Sequence, residues 1–453
     1  MSDTVRQENK MGTMPVRRLI LTMSLPMMMS MMVQALYNVV DSIFVSRLSE
    51  DALTAVTLAF PMQNLMIAVA GGTGVGINAL LSRSLGEKRY ERADQAAGMG
   101  ILLNIIHYFI FLLIGLFGAK GFIHSQTDDP EILALGTTYL SLVCILSFGV
   151  FVQITMERLL QSTGRTFYSM IAQASGAVCN IIFDPLLIFG IGPFPRMGVA
   201  GAACATVFGQ VVGSSIAIFM NLRKNKDIRL SWKGILHPAW DAIREIYAVG
   251  IPSMLMMAIG SVMTYLMNQI LIAFSNTAAA VFGVYFKLQS FVFMPVFGLN
   301  NGVIPVLAYN YGARNPDRIR QTLRFSLVLA LSIMIAGALV FIFLPVLLLK
   351  LFNASPEMIA IGVPALRIIA FSFPVAAVCI VIGSVFQAFS RSMYSLAVSV
   401  GRQLVVLIPA AWLLSRTGVL ANVWWAFPIA EIMSFAISAF FFRKLYREII
   451  AVL

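Results

Sequence analysis

Two acidic side chains with polar neighbours, Asp41 and Asp184, are the residues in this sequence best suited to bind an ion. Asn180 and Asp184 are four residues apart in an apolar run, so both point to one face of a helix. Pro185 cannot donate a backbone N–H, so we expect the helix to bend or open beside the acid and free a carbonyl oxygen. A carboxylate inside a membrane is costly and indicates a function. The alternative is an aspartate that only hydrogen-bonds between packed helices.

The composition identifies the elements that must hold such a site. Of 453 residues, 59% are hydrophobic and only 11% are charged, as in a polytopic membrane protein and unlike a soluble domain. The sequence therefore predicts an all-α fold with twelve transmembrane helices. The runs of spanning length cover 19–45, 53–80, 98–119, 132–160, 168–189, 199–222, 246–274, 278–308, 322–348, 358–389, 394–414 and 419–442.

The two halves of the chain are copies of each other. A shift of 226 residues superimposes Pro26/Pro252, Gly72/Gly298, Gly76/Gly302, Gly86/Gly312, Arg92/Arg318, Gln161/Gln387 and Arg165/Arg391. Six spans per copy is an even number, so both copies enter the membrane from the same side and form two parallel six-helix bundles. We assign 1–18 to a cytoplasmic segment, 19–222 to an N-lobe, 223–245 to a cytoplasmic linker, 246–442 to a C-lobe and 443–453 to a cytoplasmic tail.

Basic residues orient the predicted spans. With the N-terminus inside, the inside segments hold 24 of the 32 lysines and arginines, the outside segments hold five, and three lie within spans. This asymmetry is typical of membrane proteins with cytoplasmic termini. It also accounts for the net charge of +12, so we expect no binding to nucleic acid.

The predicted topology brings six polar side chains of the N-lobe into one layer. Asp41 and Asp184 lie about 6 to 8 Å from the outer ends of their spans, and Tyr139 and Thr206 lie about 10 Å deep. Tyr37 and Asn180 lie one helical turn below the two acids. The second copy has Met267 and Ala410 at the positions of the two acids, so the site would belong to one lobe.

This layer could bind either of two ions. Two acids close together in a medium of low dielectric constant do not both ionise easily, so the pair would accept a proton near neutral pH. The oxygens of Asp41, Asp184, Asn180 and Thr206 could instead hold Na⁺. The sequence leaves both possibilities open.

The C-lobe spans contain mostly positive charges, in contrast to the acids of the N-lobe. They are Lys287, Arg367 and Arg402, together with one acid, Glu431. We expect Glu431 to pair with Lys287 or Arg367. The group would then be either a charge network that stabilises the lobe or part of a substrate cavity. The 26 methionines and 33 phenylalanines suit a cavity for varied apolar cations.

These motifs together resemble the multidrug and toxic compound extrusion (MATE) family, from about Leu19 to Phe442. The resemblance rests on Ser24–Pro26, Asp41, Gln161–Arg165, Gln387–Arg391, Asn180–Pro185 and Tyr309–Arg314. It implies two six-helix bundles that export drugs, often cationic and aromatic, in exchange for H⁺ or Na⁺. In the prokaryotic branch that the chain most resembles, the ion site lies in the N-lobe. It would here consist of Asp41, Asp184, Asn180, Tyr37, Tyr139 and Thr206.

The same resemblance implies that span 1 bends during transport, with Pro26 as its hinge; Pro185 is the second hinge that we predict. We therefore expect an efflux antiporter in the plasma membrane of a prokaryote, with no cofactor other than the coupling ion. Its partners would be organic cations or amphipathic drugs and membrane lipid, and it would be a monomer. The chain has no P-loop and no zinc-protease motif, so we expect no enzyme activity.

Two alternatives remain at this stage. The first is a lipid-linked oligosaccharide flippase of the same superfamily, which Lys287, Arg367 and Arg402 keep open. The second is a membrane scaffold or receptor that transports nothing, against which the duplicated halves argue.

Overall fold

A computed structural model describes residues 8–452, and these residues form helices without any β-strand. The helices of the first half are α1 (Lys10–Thr13), α2 (Val16–Ser46), α3 (Glu50–Gly86), α4 (Tyr90–Leu113), α5 (Ala119–His124), α6 (Pro130–Ile145), α7 (Phe148–Ser162), α8 (Thr166–Phe189), α9 (Val199–Lys224) and α10 (Trp232–Leu236). Those of the second half are α11 (Trp240–Ile272), α12 (Asn276–Gly312), α13 (Pro316–Phe343), α14 (Pro345–Lys350), α15 (Pro356–Ala370), α16 (Phe373–Ala388), α17 (Ser392–Val400), α18 (Ile408–Ser415), α19 (Leu420–Val423) and α20 (Ala426–Leu445). Three π-helical segments cover Ile114–Gly118, Gly401–Leu407 and Tyr446–Ile450.

The number of spans agrees with the prediction of twelve. Ten helical stretches of the described chain are each long and apolar enough to cross a membrane. Two further spans are bent pairs, α6 with α7 at 44° and α15 with α16 at 48°. The predicted all-α membrane fold with two six-helix bundles is confirmed.

Equivalent caps start equivalent helices in the two copies. The side chains of Ser49 and Ser275 accept hydrogen bonds from the third backbone amide of α3 and of α12. Asp129 and Ser355 cap α6 and α15, each directly before a proline at the first helical position. Serine and aspartate oxygens satisfy amides that have no partner within the helix, so these positions keep the two copies in register.

The two prolines predicted as hinges, Pro26 and Pro185, lie inside uninterrupted helices. The carbonyl of Thr22, which has no i+4 amide partner because of Pro26, accepts a hydrogen bond from the Thr166 hydroxyl at 3.3 Å. The helix α8 continues through Pro185 to Phe189. The helix is therefore not opened beside Asp184, which corrects that part of the expectation. The Ile181 carbonyl still lacks the amide that Pro185 cannot donate, and a bend at Pro185 stays a prediction.

Three apolar cores stabilise the bundles. One fills the C-lobe and another fills the half of the N-lobe that lies away from the termini. The third joins N-lobe residues such as Leu81 to Ile246, Val306 and Tyr309 of the second half. Since α2 and α11 start beside this third core, the lobes are packed together at the end of the bundle that holds the termini.

Two glycines allow the lobes to approach closely there. A Cβ atom on Gly86, the last residue of α3, would stand 1.9 Å from the carbonyl oxygen of Tyr309 in α12. A Cβ atom on Gly312, the last residue of α12, would stand 2.2 Å from the carbonyl oxygen of Arg83 in α3. The two contacts are equivalent in the repeat, so α3 and α12 pack backbone to backbone around the axis between the copies.

Arginines at equivalent positions add polar links between the lobes. Arg92 of α4 forms an ion pair with Glu245 of α11. Arg318 of α13 donates to the carbonyls of Met11 at 2.9 Å and Met14 at 2.8 Å. The described part of the predicted 1–18 segment is thus held between the lobes, while its first seven residues lie outside the described chain.

Candidate ion-binding site

The site begins with the close packing of α8 on α9. A Cβ atom on Gly176 would stand 2.7 Å from the carbonyl oxygen of Gly209, and one on Gly209 would stand 2.6 Å from the carbonyl oxygen of Gly176. This backbone contact has no room for side chains. It places Asn180, one turn from Gly176, directly against α9.

Asn180 joins the acid to the neighbouring helix. Its amide is best oriented with the nitrogen donating to Asp184 Oδ2 at 3.1 Å. Its oxygen then accepts from the backbone amide of Thr206 at 3.1 Å and from the Thr206 hydroxyl at 3.3 Å. Asp184 is fully buried and Asn180 is 2% exposed. The sequence prediction that these three residues share a layer agrees with the structure.

The two aspartates form one acid pair. The carboxyl groups of Asp41 on α2 and Asp184 on α8 lie within hydrogen-bonding reach of each other. Asp41 Oδ1 is buried and has no hydrogen-bond partner within residues 8–452. Two carboxylates at this separation repel each other unless a proton or a cation lies between them. The pair is therefore a built acceptor for one small positive charge.

Two tyrosines border the acid pair. Tyr37 and Tyr139 both lie within electrostatic range of Asp41 and Asp184. The Tyr139 hydroxyl is in turn bound by Gln63, whose side-chain nitrogen donates to it at 3.1 Å. The structure thus gathers all six predicted residues at one level of the N-lobe.

Sequence reasoning missed Gln63. It is polar, lies within a span, and was therefore detectable by the same criterion as the other residues. The second copy has Gln289 at the equivalent position, so a search for polar residues unique to one copy passes over it.

A second group of polar side chains that the sequence analysis missed links α2 to α8 between Pro26 and Asp41. Ser30 donates to Gln173, and Gln173 donates to Gln34 at 2.8 Å. Any bend of α2 at Pro26 must shift these contacts, so they connect the predicted hinge to the helix that carries Asp184.

The predicted charge pairs of the C-lobe need correction. Glu431 pairs with Arg402 at 2.6 Å, and not with Lys287 or Arg367. Arg402 lies in the π-helical segment Gly401–Leu407, where the wider turn changes the direction of side chains relative to the α-helical phase used for the prediction. Arg367 donates to the carbonyl of Ile342 at 3.1 Å and so satisfies a free carbonyl at the end of α13.

The N-lobe site of the acid pair and its polar neighbours can bind a proton, or a cation that needs few protein ligands. No group of three or more His, Cys, Asp and Glu residues suited to a metal ion occurs among the described residues. A Na⁺ ion would therefore take two carboxylates together with amide and hydroxyl oxygens. The same donor set accepts a proton without any further ligand.

Comparisons with known proteins agree with this architecture. The sequence profile of the MatE family matches residues 26–186 and 252–413, one match in each copy. A protein of Shewanella oneidensis named FAD transporter is 28% identical in an alignment of 432 residues that covers 92% of each chain. Multidrug export protein MepA of Staphylococcus haemolyticus is 26% identical over 409 residues, which are 90% of this chain and 89% of MepA. A solved outward-facing multidrug resistance MATE transporter superimposes with a TM-score of 0.91 at 25% identity, covering 98% of this chain and 99% of its own.

Proposed function

The chain belongs to the MatE family of transporters, and we propose from this premise that it exports organic cations and amphipathic drugs in exchange for H⁺ or Na⁺. The observation that carries the proposal is the acid pair of Asp41 and Asp184, with its unpaired buried oxygen on Asp41. An exporter driven by an ion gradient needs a site whose charge changes when the ion binds, and this pair provides one.

Neutralisation of the pair is the coupling step. With the site empty, the N-lobe interior carries negative charge that attracts a cationic drug in the cavity between the lobes. When H⁺ or Na⁺ binds, this attraction is lost and the drug is released. Ion and drug then compete electrostatically, which is the minimum requirement for exchange.

The packing of the lobes supports a role in alternating access. The lobes are joined at the end that holds the termini, through Gly86, Gly312, Arg92 and Arg318. We place that end in the cytoplasm from the distribution of basic residues. The described conformation is then outward-facing, ready to take up an ion and release a drug.

Helix α2 connects the charge of the acid pair to the predicted bend at Pro26. It carries Asp41 near its C-terminal end, Pro26 in its N-terminal half, and the polar contacts of Ser30 and Gln34 between them. A change of charge at Asp41 alters the packing of α2 against α8, and Pro26 is where the helix yields most easily because one backbone hydrogen bond is missing.

Reconstituted protein tests this function. Proteoliposomes are given a pH gradient alone or a Na⁺ gradient alone, and ethidium transport is followed by fluorescence. We expect one of the two gradients to drive transport, and Asp41→Asn and Asp184→Asn to abolish it. The matched control is Asp128→Asn, the same chemical change at an exposed loop residue. Gradient-driven ethidium transport by both site variants would contradict the proposal.

A second candidate function is export of a flavin dinucleotide. It is favoured by the relative named FAD transporter, which aligns over 92% of this chain. The same proteoliposomes decide between the two functions when FAD replaces ethidium. Transport of FAD, which carries phosphate groups, favours the second function, and transport of ethidium, which is a cation, favours the first.

A further inference from the structure

Lys287 is a charged residue far inside the membrane that the ion site does not use. The helix α12 begins at Asn276, at the end of the bundle opposite the termini, so Lys287 lies about 16 Å along it. This is near the middle of a hydrocarbon core about 30 Å thick. Lysines reach the membrane surface only from positions close to the ends of helices. The side chain is nevertheless exposed, so it must face water and not lipid.

The face of α12 that carries Lys287 turns towards the other lobe. Gly298 lies eleven residues further along the helix, a spacing that returns to nearly the same face. At Gly298 an added Cβ atom would stand 2.5 Å from the Cα atom of Met28 in α2. The same face therefore packs against the N-lobe near the termini and borders the open space between the lobes at Lys287.

Neighbouring residues on this face of α12 form an open and apolar surface. Gly283, one turn before Lys287, has no atom within 4 Å of the position where its Cβ would be. Phe291, one turn after it, is 41% exposed. An aromatic ring beside a free ammonium group gives this surface one apolar and one cationic contact.

The ammonium group has no counter-charge. Within residues 8–452, Lys287 takes part in no ion pair and no hydrogen bond. The acid of the C-lobe spans, Glu431, is already paired with Arg402. Asp41 and Asp184 lie inside the N-lobe and contact each other. An isolated charge of this kind is expensive to place in a membrane and is expected to have a binding role.

We propose that Lys287 is a substrate-binding residue that receives a carboxylate or phosphate group of the transported compound. This inference rests on the proposed efflux function and deepens it, because it names a second chemical feature of the substrate. A compound with a cationic or aromatic part and an anionic group would be attracted by the N-lobe acids at one end and by Lys287 at the other. Compounds without the anionic group bind without using Lys287.

Two dyes that differ only in this group test the inference. A carboxyrhodamine carries a delocalised cation and a free carboxylate, and its methyl ester carries the cation alone. Binding of each dye to detergent-purified protein is measured by fluorescence anisotropy, and transport is measured in proteoliposomes. We expect Lys287→Gln to weaken binding of the carboxylate dye about 10- to 100-fold, as for loss of a hydrogen bond between charged groups. The methyl ester should bind as before.

Two variants serve as controls. Lys287→Arg keeps the positive charge and should retain most of the affinity for the carboxylate dye. Arg367→Gln removes a positive charge from the same lobe, at a residue that contacts the end of α13, and should leave the ratio of the two affinities unchanged.

The outcomes separate this inference from the efflux function. One outcome is that wild-type protein transports the ester while Lys287→Gln weakens the binding of both dyes equally or leaves both unchanged. In that case the efflux function stands and the role of Lys287 is refuted. If wild-type protein transports neither dye, the efflux function is contradicted. The anisotropy measurement still decides whether Lys287 binds the carboxylate.

Discussion

Replacing Gly312 by alanine should open the protein at the end that holds its termini. The new methyl group would stand 2.2 Å from the carbonyl oxygen of Arg83. Carbon and oxygen in adjacent backbones approach to about 3.3 Å, so α3 and α12 would have to separate by about 1.1 Å. The equivalent change Gly86→Ala would require about 1.4 Å, because its methyl group would stand 1.9 Å from the Tyr309 oxygen.

Overpacking of this kind costs about 1–3 kcal/mol. Because the close contact exists only where the lobes are joined, most of this energy penalises the conformation described here. The equilibrium between the two access states should then shift about 5- to 150-fold towards the state open at the termini. Spin labels at Arg47 and Ala273, exposed and equivalent in the two copies, report the separation of the lobes at the opposite end. We expect a population with shorter distances to grow in both variants.

The matched control lies on the same helix. Gly283→Ala in α12 adds a methyl group where no atom lies within 4 Å, so its distance distribution should equal that of wild type. Unchanged distributions in both Gly86→Ala and Gly312→Ala, in folded protein, would refute the argument that backbone contact at these glycines holds the lobes together.

Three further predictions concern single side chains. Thr206→Val keeps the shape but removes the hydroxyl that contacts Asn180; the ion concentration for half-maximal transport should rise about 2- to 12-fold, and an unchanged value would exclude this hydroxyl from the site. Arg367→Gln removes the bond to the Ile342 carbonyl; it should lower the melting temperature while ethidium transport persists, and loss of transport at unchanged stability would contradict a structural role. Burial lowers the pKa of Lys10, so the charged form is destabilising and Lys10→Met should raise the melting temperature at neutral pH. That gain should fade as the pH rises through the lowered pKa, because the wild-type lysine then becomes neutral; a gain that does not depend on pH would contradict the electrostatic cause.

The positions of the helices could be predicted almost completely from the sequence. A membrane forces each span to satisfy its own backbone hydrogen bonds, so apolar length alone locates helices such as α8 and α9. The predicted runs are shorter than the helices. An apolar run ends with the hydrocarbon core, whereas α3 and α12 continue beyond it, to 37 residues each. The internal repeat supplied the pairing of the halves, and the caps at Ser49 and Ser275 explain why its register holds.

The depth of the site residues was predictable, but their partners were not. Depth follows from the rise of a helix, which placed Asp41 and Asp184 at one level. Contacts across helices depend on rotation and on close packing, which glycines such as Gly176 and Gly209 decide. The partner of Glu431 was missed for this reason, because a π-helical segment turns Arg402 towards it.

Direct competition between ion and drug is the measurement closest to the central claim. Ethidium affinity is determined on purified protein over a range of pH without Na⁺, and over a range of Na⁺ concentration at fixed pH. One of the two ions should weaken ethidium binding in wild-type protein, and the effect should disappear in Asp41→Asn and Asp184→Asn. Ethidium affinity that is independent of both ions in the wild type, or that remains equally ion-dependent in both variants, would contradict the acid pair as the coupling site.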